Sequence, residues 1–212
     1  MNEDQPNFTV LDHPVVADLV THIRNEQTQP PRFRELVERV GMLLAYEATR
    51  DFALQAVDVT TPMQLTQGHV LQFPVTVVPI LRAGLGLAQG VMQLLPKAVM
   101  GHVGMFRDEQ ALTPVSYYEK LPSQISQGPV LLVDPMLATG GSAVAAIELL
   151  KSRGCCDIRF LCLIAAPEGV DRLTQAHPDV QVYTAALDEK LNEVGYIIPG
   201  LGDAGDRLYG TL

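Results

Sequence analysis

Five apolar, β-rich runs constrain this chain more than any other feature: 75–81 (VTVVPIL), 97–106 (KAVMGHVGMF), 130–134 (VLLVD), 158–165 (IRFLCLIA) and 180–187 (VQVYTAAL). Helix-compatible stretches follow three of them, at 86–96, 141–154 and 167–178. Strands that are apolar throughout, rather than alternating, must be buried on both faces. Helices between them supply the cover, so the pattern predicts an α/β fold with a mostly parallel central sheet flanked by helices. Hydrophobic residues make up 47% of the chain against 18% charged, enough apolar surface for one core over residues 1–212. Ahead of the alternation, Phe33, Leu36, Val37, Val40, Leu43 and Leu44 share one face of a predicted helix over 32–51, with Pro30 and Pro31 as start signals. Residues 51–74 alternate weakly between breaks at proline and glycine, which predicts short strands or a hairpin.

Charge and composition exclude several function classes. A formal net charge of -9 argues against a large nucleic-acid footprint, which needs a basic face, while leaving room for a local basic pocket. The first residues, MNEDQPNF, lack the apolar core of a signal peptide, and no apolar run is long enough to cross a bilayer. Cys155, Cys156 and Cys162 form neither a CxxC nor an even framework, so they are expected to be reduced thiols in or beside a buried strand. A cytoplasmic protein is expected, without membrane or nucleic-acid partners.

The chemistry concentrates in VLLVDPMLATGGS, residues 130–142. The strand ends in a carboxylate, Asp134, and a helix then opens through Thr139-Gly140-Gly141-Ser142. A helix N-terminus offers free N–H groups and a positive dipole end, and glycines let an anion come close to the backbone. With the hydroxyls of Thr139 and Ser142 added, the loop suits one phosphate. It lacks the lysine of a Walker loop. A plain strand-to-helix turn capped by Thr139 or Ser142 would explain one hydroxyl and one glycine but not Asp134, unless that acid is itself a cap. A carboxylate just ahead of a phosphate cradle fits a ligand with hydroxyls between its phosphate and its reacting carbon, as in a ribose 5-phosphate.

The same stretch resembles the phosphoribosyl-diphosphate loop of type I phosphoribosyltransferases. Most members carry two adjacent acids there, whereas this chain has Asp134-Pro135, a departure similar to the uracil phosphoribosyltransferase branch. The likeness extends to VVPILRAGLG (77–86), GMFRDE (104–109) and GYIIPGLGDAGDRLYGT (195–211). It implies a type I fold with a C-terminal hood over the base and a β-hairpin arm. It further implies transfer of phosphoribosyl from phosphoribosyl diphosphate to N1 of uracil, in pyrimidine salvage.

The resemblance also distributes roles. Arg82 and Arg107, each in a loop past a strand, would neutralise the diphosphate, for which guanidinium forks are suited. Asp134 would take the ribose hydroxyls and favour positive charge at C1. Pro135, Met136, Leu137, Ala138, Thr139, Gly140, Gly141 and Ser142 would complete the sugar-phosphate cradle. Ile197, Gly202 and Ala204 would meet uracil, and Asp203 the ring or the phosphoribosyl side. Mg2+ would be carried mainly by substrate oxygens, with no protein ligand assigned. GTP is an effector in some relatives, and a homodimer or larger assembly is expected. Phe106 stands where tyrosine is frequent in the family.

Competing readings remain. Gly84, Gly86 and Gly90, directly after a strand, come within one residue of a dinucleotide fingerprint, with Asp108 or Glu109 placed to meet a ribose. That reading leaves the later TGGS loop unexplained. The polar segment 107–129 has the character of a lid. Tyr117, Tyr118 and Lys120 within it could face a closed site or a neighbouring subunit. His102 and His177 read as packing or surface residues. Transfer to a purine or orotate, and an RNA-binding regulator on the same fold, are the alternatives to uracil chemistry.

Overall fold

Alternation within the apolar runs assigns each strand two buried faces. Val77, Leu131, Val133, Leu161 and Leu163 pack with one set of core residues, and Val78, Val130, Leu132, Phe160 and Cys162 with another. The computed structural model, which describes residues 7–107 and 114–211, shows why both faces are covered. On one side lie α1 (Pro14–Arg24), α2 (Pro30–Ala48) and α3 (Gly84–Leu94); on the other lie α4 (Gly141–Ser152) and α5 (Pro167–Ala176).

The strands are β1 (Phe8–Val10), β2 (Leu54–Thr60), β3 (Leu65–Leu71), β4 (Thr76–Leu81), β5 (Val99–Met100), β6 (His102–Arg107), β7 (Pro114–Lys120), β8 (Val130–Val133), β9 (Met136–Leu137), β10 (Ile158–Ala165), β11 (Gln181–Leu187), β12 (Lys190–Leu191) and β13 (Ile197–Ile198). A final helix, α6 (Ala204–Tyr209), closes the chain. The main sheet runs β1-β11-β10-β8-β4-β6-β7, with β5 also on β4 and β9 also on β10. Its pairings are parallel except β6 with β7. After β4 the chain moves outward to β6 and β7, then returns to lay β8 on the other side of β4. Order therefore reverses between β4 and β8, and open α/β sheets bind ligands beyond the strand ends at such a point.

Several expectations need amendment. The run 97–106 is two strands, β5 and β6, interrupted at Gly101. Within the polar segment 107–129, residues 114–120 form β7 and Ile125–Gln127 a turn of 3-10 helix, so most of its described part is ordered secondary structure. Cys156 is exposed, while Cys155 and Cys162 are buried, and all three thiols are free. Burial pushes the Cys162 thiol up to about 12. Among the described residues no helix is long and apolar enough to cross a membrane.

The glycines that resemble a dinucleotide fingerprint serve packing. A Cβ on Gly90 would lie 1.8 Å from the carbonyl oxygen of Glu38, and one on Gly84 2.5 Å from that of Val133. These contacts let α3 press against α2 and let the loop after β4 cross the end of β8. Asp108 and Glu109 lie outside the described residues.

Candidate functional site

The described parts of the 77–86, 130–142 and 195–211 motifs meet at the carboxyl edge of the sheet, at or beside the order reversal. Residue pairs Thr76↔Val130 through Pro79↔Val133 set β4 and β8 side by side. Arg82 follows the end of β4 and Asp134 the end of β8, so adjacent parallel strands deliver the cation and the acid to one crevice.

Asp134 is half-buried, and its backbone N–H donates to Leu161 O at 3.1 Å. Desolvation pushes its carboxyl up to about 7, against a smaller opposing effect of the Met136 N–H. It does not cap α4. The N-cap is Gly140, in the left-handed conformation at φ 75°, and no side chain caps this end. The alternative in which Thr139 or Ser142 closes the helix is therefore not what the chain adopts. Asp134, Met136, Leu137, Ala138, Thr139, Gly140, Gly141 and Ser142, with Ala143, line a pocket of about 90 Å³. Ligand pockets run to about 300 Å³ and more, so this one suits a single group such as a phosphate rather than a whole nucleotide. Pro135 is buried beneath it, its carbonyl accepting from Leu163 N–H at 2.9 Å.

The tail folds back over this edge. A Cβ on Gly195 would touch Thr139 Cγ2 at 3.7 Å, and one on Gly205 would lie 3.9 Å from Ala83 Cβ. The 195–205 segment thus bridges the 134–142 loop and the loop after β4. Ile197 and Ala204 are buried in the core, whereas Gly202, at φ 81°, is exposed. Asp203 is exposed and caps α6, accepting from Asp206 N–H at 2.9 Å. Arg82 is exposed, and the peptide bond before it is cis. Arg107 ends β6, and the role expected of its side chain falls outside the described residues, as does that of Phe106.

Two contributors carry no local signal in the sequence. Tyr209 Oη donates to Arg82 O at 3.0 Å, and the Arg82 guanidinium lies 5.8 Å from the Tyr209 ring centroid. Arg172, from α5, donates to Thr139 O at 3.3 Å. Tyr209 lies inside the tail motif, but its contact is 127 residues away in sequence. His177 is a packing residue: it is buried, and its Nε2 lies 3.3 Å from Val144 O.

The hard-ion donor set is sparse. Among the described residues no group of three or more His, Cys, Asp or Glu could hold a metal. One carboxylate beside an open pocket fits an ion such as Mg2+ that keeps its waters and arrives on substrate oxygens.

The family model for uracil phosphoribosyltransferase matches residues 10–211. A uracil phosphoribosyltransferase of Bacillus pumilus is 57% identical over 203 residues, covering 95% of this chain and 97% of its own. One from Dictyoglomus turgidum is 53% identical, covering 95% and 98%. The solved AQ2163 protein of Aquifex aeolicus superposes with a TM-score of 0.90 at 36% identity, over 95% of this chain and 97% of that one. A purine phosphoribosyltransferase from Pyrococcus horikoshii, at TM-score 0.52 and 20% identity over 73% of this chain and 84% of its own, shares the fold.

Proposed function

The chain belongs to the uracil phosphoribosyltransferase family, and we propose that Asp134, Arg82, Arg107 and the backbone of its two glycine-rich loops carry that family's reaction. It transfers 5-phosphoribosyl from 5-phospho-α-D-ribose 1-diphosphate to N1 of uracil, giving UMP and diphosphate. The observation that carries the assignment of roles is the meeting of the Asp134 loop, the Arg82 loop and the 195–205 tail at the reversal between β4 and β8.

Charge dictates the division of labour. As the bond from C1 to diphosphate breaks, the leaving group gains negative charge and C1 becomes oxocarbenium-like. Preorganised charge and positioning therefore supply most of the acceleration. The Thr139–Ser142 loop seats the 5-phosphate on the α4 N-terminus. Asp134 accepts from the ribose hydroxyls, and its ionised form favours positive charge at C1. The Arg82 and Arg107 guanidiniums neutralise the departing diphosphate. The backbone around Gly202 and Ala204 reads the uracil edge, with Ile197 beneath it and Asp203 at the ring or sugar side. Asp134 would sit beside any Mg2+ carried on the substrate oxygens, and such an ion would add to the neutralisation of diphosphate charge.

The arm formed by β2 and β3 supports a homodimer or larger assembly. Every residue of its two strands is exposed except Val57 and Gly68, which are half-buried. A two-stranded hairpin is marginal alone in water, and Leu54, Met63 and Leu65 stand 58%, 91% and 67% exposed. A second copy of the chain is the proposed cover. The free thiols support a cytoplasmic location. GTP as effector rests on the family alone.

The test is UMP and diphosphate formation with uracil, orotate or hypoxanthine as acceptor, with Mg2+ or chelator and with or without GTP. Mg2+-dependent diphosphate release with uracil alone is expected. Release with a purine and not with uracil would overturn the reading.

A further inference from the structure

We propose that Arg24 and Asp188, neither of which lines the crevice, are positioning residues that set the angle at which the 200–204 backbone meets the base. The inference rests on the reading that this segment holds uracil. Asp188 follows the end of β11, and its N–H donates to Ala165 O at 2.8 Å, which anchors it to the end of β10. Its side chain is 4% exposed. One carboxylate oxygen, Oδ2, accepts from Gly200 N–H at 2.8 Å and from Arg24 Nη1 at 2.8 Å, while Oδ1 accepts from Arg24 Nη2. Arg24 Nη1 also donates to Gly200 O at 2.7 Å. Both backbone groups of Gly200 are thus held by one ion pair, two residues before Gly202.

A second guanidinium completes the frame. Arg207 Nη1 donates to Leu201 O at 2.8 Å and to Ile23 O at 2.7 Å, and its Nη2 to Asn25 O at 2.7 Å. The group stacks on the Phe33 ring at 4.3 Å. Carbonyls at the C-terminal end of α1 are satisfied by the same side chain that holds the tail. Burying an ion pair adds little net stability compared with apolar packing of the same volume. What it fixes here, and apolar packing would not, is the direction of specific backbone N–H and C=O groups. Uracil presents two carbonyls and one N–H, so its recognition by a backbone depends on that direction.

Steady-state kinetics of Arg24→Ala, Arg24→Lys, Asp188→Asn and Gly202→Val, with melting curves for each, decide the matter. In Arg24→Ala and Asp188→Asn the KM for uracil should rise about tenfold or more while that for phosphoribosyl diphosphate stays within about twofold, and Arg24→Lys should recover part of the loss. Equal changes in both KM values, or a loss of active protein with both unchanged, would overturn the positioning role. If Arg24→Ala does not fold, the same split in Arg24→Lys and Asp188→Asn decides. Gly202→Val separates the two layers. A raised uracil KM there, with none in the ion-pair variants, overturns only the positioning role; no change there overturns the base site itself.

Discussion

Replacing Asp134 with asparagine should make the free enzyme more stable and less active, with a stability gain that grows with pH. The carboxyl is held at about 7 in the fold, against 3.8 for an unperturbed side chain. A raised acid pKa means that the folded state binds a proton the unfolded chain has already released. The folded state therefore loses stability as pH rises from about 3.8 through about 7, and the full penalty is in place above that. Asparagine is neutral at every pH and escapes the penalty. The gain of Asp134→Asn over wild type comes to about 2 kcal/mol at pH 5 and about 4 kcal/mol at pH 8, at 1.36 kcal/mol per pKa unit. Water reaching the exposed part of this half-buried group makes these upper figures. The pH-dependent part, about 2.5 kcal/mol, corresponds to about 5–10 °C in Tm for a chain of this size. Melting wild type and variant side by side, without ligands, cancels every other titrating group. A Tm difference that is flat between pH 5 and pH 8, or that shrinks as pH rises, would refute the account of Asp134 as a carboxyl strained by desolvation. Turnover should fall about 100-fold, the scale seen when one preorganised electrostatic group is lost, and near wild-type turnover would refute its catalytic role.

Arg82→Ala should weaken use of phosphoribosyl diphosphate by about 10- to 100-fold in kcat/KM and leave the melting temperature nearly unchanged, since the side chain is exposed; an unchanged kcat/KM counts against the assignment. Gly90→Val should destabilise the fold by at least about 3 kcal/mol in urea titrations, because a Cβ there would sit 1.8 Å from Glu38 O. With a maleimide reagent at pH 7.5, Cys156 should label in the native protein, and Cys155 and Cys162 only after denaturant, as their burial and raised pKa values require. Changing Met63 and Leu65 on the arm to aspartate should shift the assembly toward monomer in light scattering, and an unchanged mass would remove the arm from the interface.

Fold and site were legible in unequal parts. The sheet could be read because both faces of β4, β8, β10 and β11 are buried, which writes unbroken apolar runs into the chain. The amphipathic α2 could be read for the same reason, with Phe33, Leu36, Val37, Val40 and Leu44 all buried and Leu43 half-buried beside them. β1 left no trace because three residues acquire strand character only by pairing with β11. The Arg24–Asp188 pair left none because its members are 164 residues apart and neither is unusual among its neighbours.

Glycine shows best where sequence is ambiguous and structure is not. Gly84, Gly86 and Gly90 and the later Gly140-Gly141 both follow a strand and open a helix, so spacing alone allows a phosphate at either. The neighbours a side chain would meet separate them. At Gly84 and Gly90 the obstruction is protein backbone, 2.5 Å and 1.8 Å away, and helix packing accounts for the missing side chain. At Gly141 the nearest atom is 3.5 Å away, the end of the Arg172 side chain, and the position lines the pocket next to Asp134. Packing places no demand for glycine there. A ligand that must reach the N–H groups of the α4 N-terminus does. At Gly202 the space is also open, with Arg207 Cδ nearest at 3.8 Å, but a φ of 81° by itself calls for glycine, so the comparison singles out Gly141 alone.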